Sequence, residues 1–223
     1  MNYRKLCSRL RKLLLNKEVH MKNYISINNK KIELTEEQVR QIIEAYNGQS
    51  VQLADIPAGE TFKIGEHEFV VLEQSGDTTE VIRKDLLPED TEFGGNNNYN
   101  CSYVDATCKA FAEDIAAIVG EDNLLWHTVD LTSDDGLKNY GTVERRASLI
   151  TADMYRRYVE ILDKFKPDRW WWLATAHSTK RHENSSWVKC VSQSGYVDNF
   201  NYYYYDNGVR PFCILKSTIF VSK

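Results

Sequence analysis

The sequence is short of the residues that punctuate loops, with only 4 Pro and 11 Gly in 223 residues. That scarcity excludes collagen-like and low-complexity chains. It also lacks long apolar runs. None approaches the ~20 residues of a membrane-spanning helix, and Leu13 to Leu15 is far shorter than the roughly 7 to 15 apolar residues of a secretory signal. Neither a signal peptide nor membrane insertion is therefore expected. The five cysteines, Cys7, Cys101, Cys108, Cys190 and Cys213, are odd in number and scattered, with no CxxC pair and no Cys/His ligand spacing. They read as free thiols, and neither metal nor cofactor is expected. Phosphate-binding glycine loops, HExxH helices and nucleophile-base-orienter patterns are missing too.

What is present is aromatic and acidic. Thirteen Tyr and five Trp are an excess that needs a reason. Residues 1–20 hold six Lys/Arg and one Glu, a local +5 against a whole-chain charge of −4, so the remainder carries −9. An acidic folded part disfavours nucleic acid as a partner. The basic segment itself precedes Lys17-Glu18-Val19-His20-Met21, which can be encoded as a purine-rich ribosome-binding sequence ahead of an ATG. On that reading Met21 is the start and 1–20 is a non-native leader or a disordered basic segment. The competing reading is a basic amphipathic helix from Tyr3 to Leu15 that touches a membrane surface or partner.

Residues 21–50 are expected to form a strand/helix appendage. In it Thr35-Glu36-Glu37-Gln38 is a capping box, followed at helical spacing by Val39, Ile42, Ile43 and Tyr46 and stopped at Asn47-Gly48. The main domain, 51–223, opens with strand-like runs at Thr61–Ile64, Glu68–Glu73 and Thr78–Arg83, a β-meander. Ser102 caps a helix with Val104, Cys108, Phe111 and Ile115 on one stripe, ended by Gly120. A second helix is expected from Ala152 to Lys164, capped by Thr151, with Tyr155, Tyr158, Val159 and Leu162 inward. Between the helices, Leu124 to Leu131 reads as another strand. Short β-runs follow Pro167: Trp170–Leu173, Trp187–Ser192, Tyr196–Phe200, Val209–Leu215 and Thr218–Val221. Strands, helices and strands again indicate an α+β domain with two helices and a mixed, mainly antiparallel sheet, preceded by the short N-terminal helix.

Two polar, aromatic stretches, 174–186 and 198–207, interrupt the last strands and read as binding loops. Tyr and Trp offer stiff amphipathic area at low entropic cost, while Asn, Ser and Asp add adaptable hydrogen bonds. The candidate ligand contacts are His177, Ser178, His182, Asn184, Ser185, Ser186, Asp198, Asn199, Asn201, Tyr202, Tyr203, Tyr204, Tyr205, Asp206 and Asn207. If the tyrosine run is extended, alternate members pack inward, leaving either Tyr203 and Tyr205 or Tyr202 and Tyr204 for a ligand. Trp170 and Trp172 share one strand face and Trp171 the other, so most of the triplet is expected to be buried packing. Arg210, buried beside Pro211, must be paired, and a salt bridge is expected. In Glu66-His67-Glu68 the side chains diverge across a strand, away from any shared metal.

Asp168-Arg169-Trp170-Trp171-Trp172-Leu173-Ala174-Thr175, then Trp187 to Ser192 with Ser194-Gly195, then Gly208-Val209-Arg210-Pro211-Phe212, resemble a bacterial and prophage family marked by WWLR, a central glycine hairpin and GVRP. The match runs from Val51 to Lys223 and departs from the pattern at Ala174, where the family has Arg. It makes Trp170, Trp172, Gly195, Gly208, Arg210 and Pro211 structural positions. The family is similar to the C-type-lectin-like group that contains formylglycine-generating enzymes and the variable proteins of diversity-generating retroelements. What the resemblance implies is a C-type-lectin-like domain, cytoplasmic or carried on a phage particle, that binds a protein or cell-surface ligand through a diversified C-terminal face. Adenine-directed mutagenesis of AAY codons cannot produce Lys, Glu, Gln, Met or Trp, and Asp198 to Asn207 contains none of these. In the earlier loop Lys180 and Glu183 are unreachable by that route and would be fixed. The EPN-type and WND-type ligand motifs of calcium lectins are missing. The resemblance leaves two other readings: a thiol- or copper-dependent enzyme using Cys190 and Cys213, or a non-variable structural domain. The oligomeric state is not legible.

Overall fold

The computed structural model describes residues 23–27, 30–35, 38–39, 50–180 and 185–223. Residues 1–20, read above as a leader or basic segment, and most of the helix expected after Thr35 lie outside the described residues. Its capping box is formed, with Thr35 N–H donating to Gln38 Oε1 at 2.9 Å and Gln38 N–H to Thr35 Oγ1 at 3.2 Å.

An antiparallel hairpin, β1 (Asn23–Ile27) and β2 (Lys30–Leu34), precedes the domain. Then follow β3 (Ser50–Gln52), β4 (Thr61–Ile64), β5 (His67–Ser75), β6 (Thr78–Arg83), α1 (Tyr103–Val119), β7 (Leu124–Leu125), β8 (His127–Asp130), β9 (Thr142–Arg145) and β10 (Ala147–Ser148). The last part holds α2 (Ala152–Arg157), α3 (Val159–Leu162), β11 (Trp171–Ala176), β12 (Trp187–Val191), β13 (Val197–Asn201), β14 (Phe212–Lys216) and β15 (Phe220–Ser222). The class is α+β, with few helices and mainly antiparallel sheets.

The large sheet runs β10-β14-β6-β5-β4-β15-β3, with β7 also on β14. It is covered on both faces, which explains the unbroken apolar run Phe69-Val70-Val71-Leu72 in β5. Phe69 and Val71 pack under α1, while Val70 and Leu72 face α2, α3 and β11. A strand buried on one face only would alternate apolar with polar.

Helix α1 starts and stops where the sequence predicts: Ser102 Oγ accepts from Asp105 N at 3.1 Å, and Gly120 leaves the helix at φ 96. Asp105, inaccessible to solvent, is held by Arg145 Nε at 2.6 Å and Lys109 Nζ at 2.8 Å. Burial alone would raise its pKa, but these partners and the Cys101 N–H hold it below the usual carboxylate range.

The second helix departs from expectation. The single run from Ala152 to Lys164 is broken at Tyr158, whose backbone (φ −105, ψ 14) leaves the helical region. There the phenol lies 2.5 Å from Glu73 Oε2 and 2.8 Å from Glu80 Oε2, side chains that face each other across β5 and β6. The tail, 163–165, tightens into a 3-10 turn.

The small sheet, β11-β12-β13, has a different core on each face. Trp171, Leu173 and Val191 pack against Tyr155 and Leu162, while Trp172, Ala174, Val188 and Cys190 pack against Phe93, Tyr99 and Cys108. The expected division of the tryptophans between faces holds, with Trp170 on the side of Trp172.

Arg210 is fully buried, but its partners are not the salt bridge anticipated from sequence. Nε donates to Arg83 O, and Nη2 to Lys84 O and Phe165 O, all at 2.9 Å, with the guanidinium 5.2 Å from the Trp171 ring centre. Main-chain carbonyls from two loops converge there, and a planar fork of five donors suits them better than one carboxylate would. Burial lowers its pKa to about 10, so it stays cationic at neutral pH. Beside it, Gly208 bridges Trp171 so closely to Leu86 that a Cβ would sit 2.4 Å from Leu86 Cδ1. Gly195, at φ 87, turns β12 into β13, and its carbonyl accepts from Tyr155 Oη at 2.8 Å.

Candidate functional site

The two expected loops are shorter than the polar stretches suggested. Ala174 to Ala176 complete β11, buried throughout, and Asp198 to Asn201 belong to β13. Between β13 and Gly208, residues 202–207 form a tight connection in which Tyr204 N–H donates to Asn201 O at 2.9 Å. The alternation anticipated for an extended tyrosine run is corrected by this turn. Tyr202 is half-buried among the residues around Trp172, whereas Tyr203, Tyr204 and Tyr205 are 56%, 46% and 68% exposed. Tyr204 stacks on Phe200 with centroids 5.0 Å apart, and Phe200 rests on Trp170 at 4.8 Å. Tyr203 meets Tyr202 edge-on at 5.5 Å. The rings of Tyr203 and Tyr204 thus sit on aromatic contacts that reach the core.

The other candidates divide by burial. Asp206 is exposed; Asp198, Asn199, Asn201, His177, Ser185 and Ser186 are half-buried; Ser178 and Asn207 are buried. Ser178 and Asn207 anchor the loops through main-chain carbonyls, accepting from Asn97 Nδ2 at 2.7 Å and Thr91 N at 3.2 Å. His182 and Asn184 lie outside the described residues. Trp187, 41% exposed and opposite Asn201 in the β12–β13 register, joins the surface, although sequence reading placed it only in a strand.

Asn97 is a residue the sequence reading missed. Fully buried, it donates to Ser178 O and to Trp187 O (3.1 Å) and accepts from Tyr140 Oη (2.7 Å), tying three loops together. Its only signal was membership of the Gly-Gly-Asn-Asn-Asn run. Lys189, nearly buried in β12, was also missed; it pairs with Asp134 Oδ2 at 3.1 Å, and Asp134 pairs again with Arg156 at 2.8 Å.

A cleft of about 500 Å³ opens on the same side as Asp134, between the β8–β9 ribbon, α2 and the end of the large sheet. His127, Ser148, Thr151, Asp130 and Arg156 line part of it. His127 Nε2 lies 2.9 Å from Ser148 Oγ, and its ring meets Phe212 edge-on at 5.1 Å. Glu144, opposite Thr128 in the β8–β9 register, accepts from Thr128 Oγ1 at 2.5 Å. Burial, chiefly, lowers the His127 pKa to about 4. The unfolded chain, with a histidine pKa of about 6.5, binds this proton more readily. Stability from this group is therefore complete above that value and declines on acidification through about 4. Urea unfolding should show a slope approaching ~1.4 kcal/mol per pH unit in that window. His127→Gln should flatten it, and an unchanged slope would remove His127 as its source.

The four described cysteines are free thiols. Burial pushes Cys108 and Cys190 up to about 12 and raises Cys213 further, so all three are protonated at neutral pH. Cys190 and Cys213 stand in different sheets and pack into different cores. His67 packs edge-on against Phe111 at 5.2 Å. Among the described residues, no three His, Cys, Asp or Glu side chains converge as metal ligands.

Residues 144–217 match the model of a domain family of unknown function, DUF6273. The match runs from β9 to the turn after β14 and takes in the tryptophan strand, the glycine hairpin and the segment around Arg210. Neither curated proteins nor solved structures give a match to the chain.

Proposed function

We propose that this is a non-catalytic binding protein of C-type-lectin-like architecture, the diversified target of a retroelement in a bacterium or its prophage. It contacts a protein or cell-surface ligand through Tyr203, Tyr204, Tyr205, Asp206 and the neighbouring Asn199, Asn201 and Trp187. The observation that carries this reading is the exposure of three consecutive tyrosines on a turn whose flanks, Tyr202 and Asn207-Gly208, are tied to the core. Large rings left in water on a rigid base are what a binding surface requires. Every residue from Asp198 to Asn207 is also reachable by adenine-directed mutagenesis. The packing of Phe200, Tyr202 and Asn207 narrows free variation to the positions between and beside them.

Replacing Tyr203, Tyr204 and Tyr205 together by serine should leave the unfolding free energy within about 1 kcal/mol, since exposed positions contribute little. The same change should abolish capture of the ligand. Unfolding of the triple variant would make the run part of the core and end this reading. Independently, a near-repeat of the coding stretch differing at adenines, with a reverse transcriptase gene nearby, is the expected genomic neighbour.

A further inference from the structure

The small sheet ends on one side at β13, and the hydrogen-bond phase of its ladder shows what that edge offers. Ser192 N–H donates to Tyr196 O and Tyr202 N–H to Ser186 O, both at 2.9 Å. With the pairing of Cys190 to Asp198 and Val188 to Phe200, the even-numbered residues of β13 bond to β12. Val197, Asn199 and Asn201 therefore direct their main-chain groups away from the sheet. Two of these are used locally: Asn199 N–H donates to Asp198 Oδ1 at 2.8 Å, and Asn201 O accepts from Tyr204. Val197 N–H and C=O, Asn199 C=O and Asn201 N–H have no hydrogen-bond partner among the described residues. Asn199 Oδ1 and Asn201 Oδ1 are likewise buried without a donor.

Sheet edges are normally blunted by short strands, lysine, proline or bulges. The large sheet follows that rule, since β10 has two residues and β3 three. β13 has five residues, Val-Asp-Asn-Phe-Asn, no lysine or proline, and an unshifted register with β12. Donors at Val197 and Asn201 and acceptors at Val197 and Asn199, spaced in multiples of ~6.8 Å, match one kind of partner: another extended polypeptide.

We infer that β13 receives an extended peptide segment of the ligand as a fourth strand beside β11-β12-β13. Side chains opposite Asn199 and Asn201 lie on the face of those amides, so a Ser, Thr or Asn of the peptide is favoured there. This rests on the binding-protein reading above and specifies how the partner is held: main-chain pairing along β13, with the exposed tyrosines at its end.

The test uses the full chain and a displayed library of random dodecapeptides. Linear peptides should be selected, and N-methylation of a selected peptide should weaken it at least tenfold at alternate positions and little at those between. Val197→Pro and Asn201→Pro remove outward N–H groups without touching the ladder to β12, and each should weaken the same peptides at least tenfold. The methylation series needs no folded variant, so it decides the matter if a proline variant unfolds. Failure to select any peptide, or indifference to methylation at every position, would overturn the inference. So would a concentration-dependent dimer, seen by sedimentation and lost on Asn201→Pro, which would give the edge to a second copy. If serine at the three tyrosines abolishes ligand capture while the edge prolines do not, the binding surface stands and the strand mode fails. Peptides lost with the prolines but kept with the serines would support the strand mode and fail the tyrosine surface.

Discussion

Arg210→Ala should destabilise the domain by roughly 3 kcal/mol or more, read as a lower midpoint in urea with the cooperative slope retained. Three carbonyls, of Arg83, Lys84 and Phe165, lose at once the donor that a fully buried side chain supplies. Each buried acceptor so abandoned costs ~1 to 3 kcal/mol. The Trp171 ring also loses the guanidinium above it. Arg210→Lys separates these contributions: it keeps the charge, but one ammonium cannot reproduce a fork that spans two loops. Lysine should therefore recover only part of the loss. A lysine variant as stable as the parent would show that charge, not the geometry of the three bonds, holds the site.

The second large effect is expected at Trp172. Its indole is fully buried, meets Phe93 edge-on at 5.6 Å and donates Nε1–H to Thr91 O at 2.9 Å. Trp172→Ala should cost ~3 to 5 kcal/mol through the cavity and the lost apolar contact. Trp172→Phe, which keeps most of the ring, should cost much less, with ~1 kcal/mol assigned to the missing hydrogen bond. Near-UV circular dichroism with chemical denaturation would distinguish loosened packing from global unfolding. Native stability in the alanine variant would remove Trp172 from the core on which the exposed tyrosines rest.

How far the sequence could be read depended on whether a feature is decided locally. β6 begins and ends at Thr78 and Arg83 as expected, because Ser75-Gly76-Asp77 fixes the turn before it. Helix α1 was legible for the same reason, since a cap and a stop glycine lie in the chain itself. The break at Tyr158 was not, because apolar spacing continues through it and the carboxylates that draw the phenol out belong to β5 and β6. Arg210 shows the boundary well. Burial implied a partner, but only the approach of two loops decides that the partner is main chain. The tyrosine run is as compatible with a strand as with a turn, and in the fold the bond from Tyr204 N–H to Asn201 O turns the chain just after β13. The cleft beside His127 is assembled from the segment 127–157 and from Glu80, Thr175, Phe212 and Ile214, which no periodicity connects.

The place of β14 in the large sheet also governs when the domain can fold. β14 lies between β6 and β10, and β15 closes on β3, so strands separated by most of the domain are nearest neighbours. During synthesis β3 to β6, α1 and β10 emerge without the strand that joins them, and α1 has only part of the apolar surface it finally covers. Such non-local pairing is slow, because loop closure costs entropy before any contact offsets it. Until Phe212 to Lys216 has left the ribosome, the apolar run in β5 is an aggregation hazard. The stretch around the exposed tyrosines is made just before that moment.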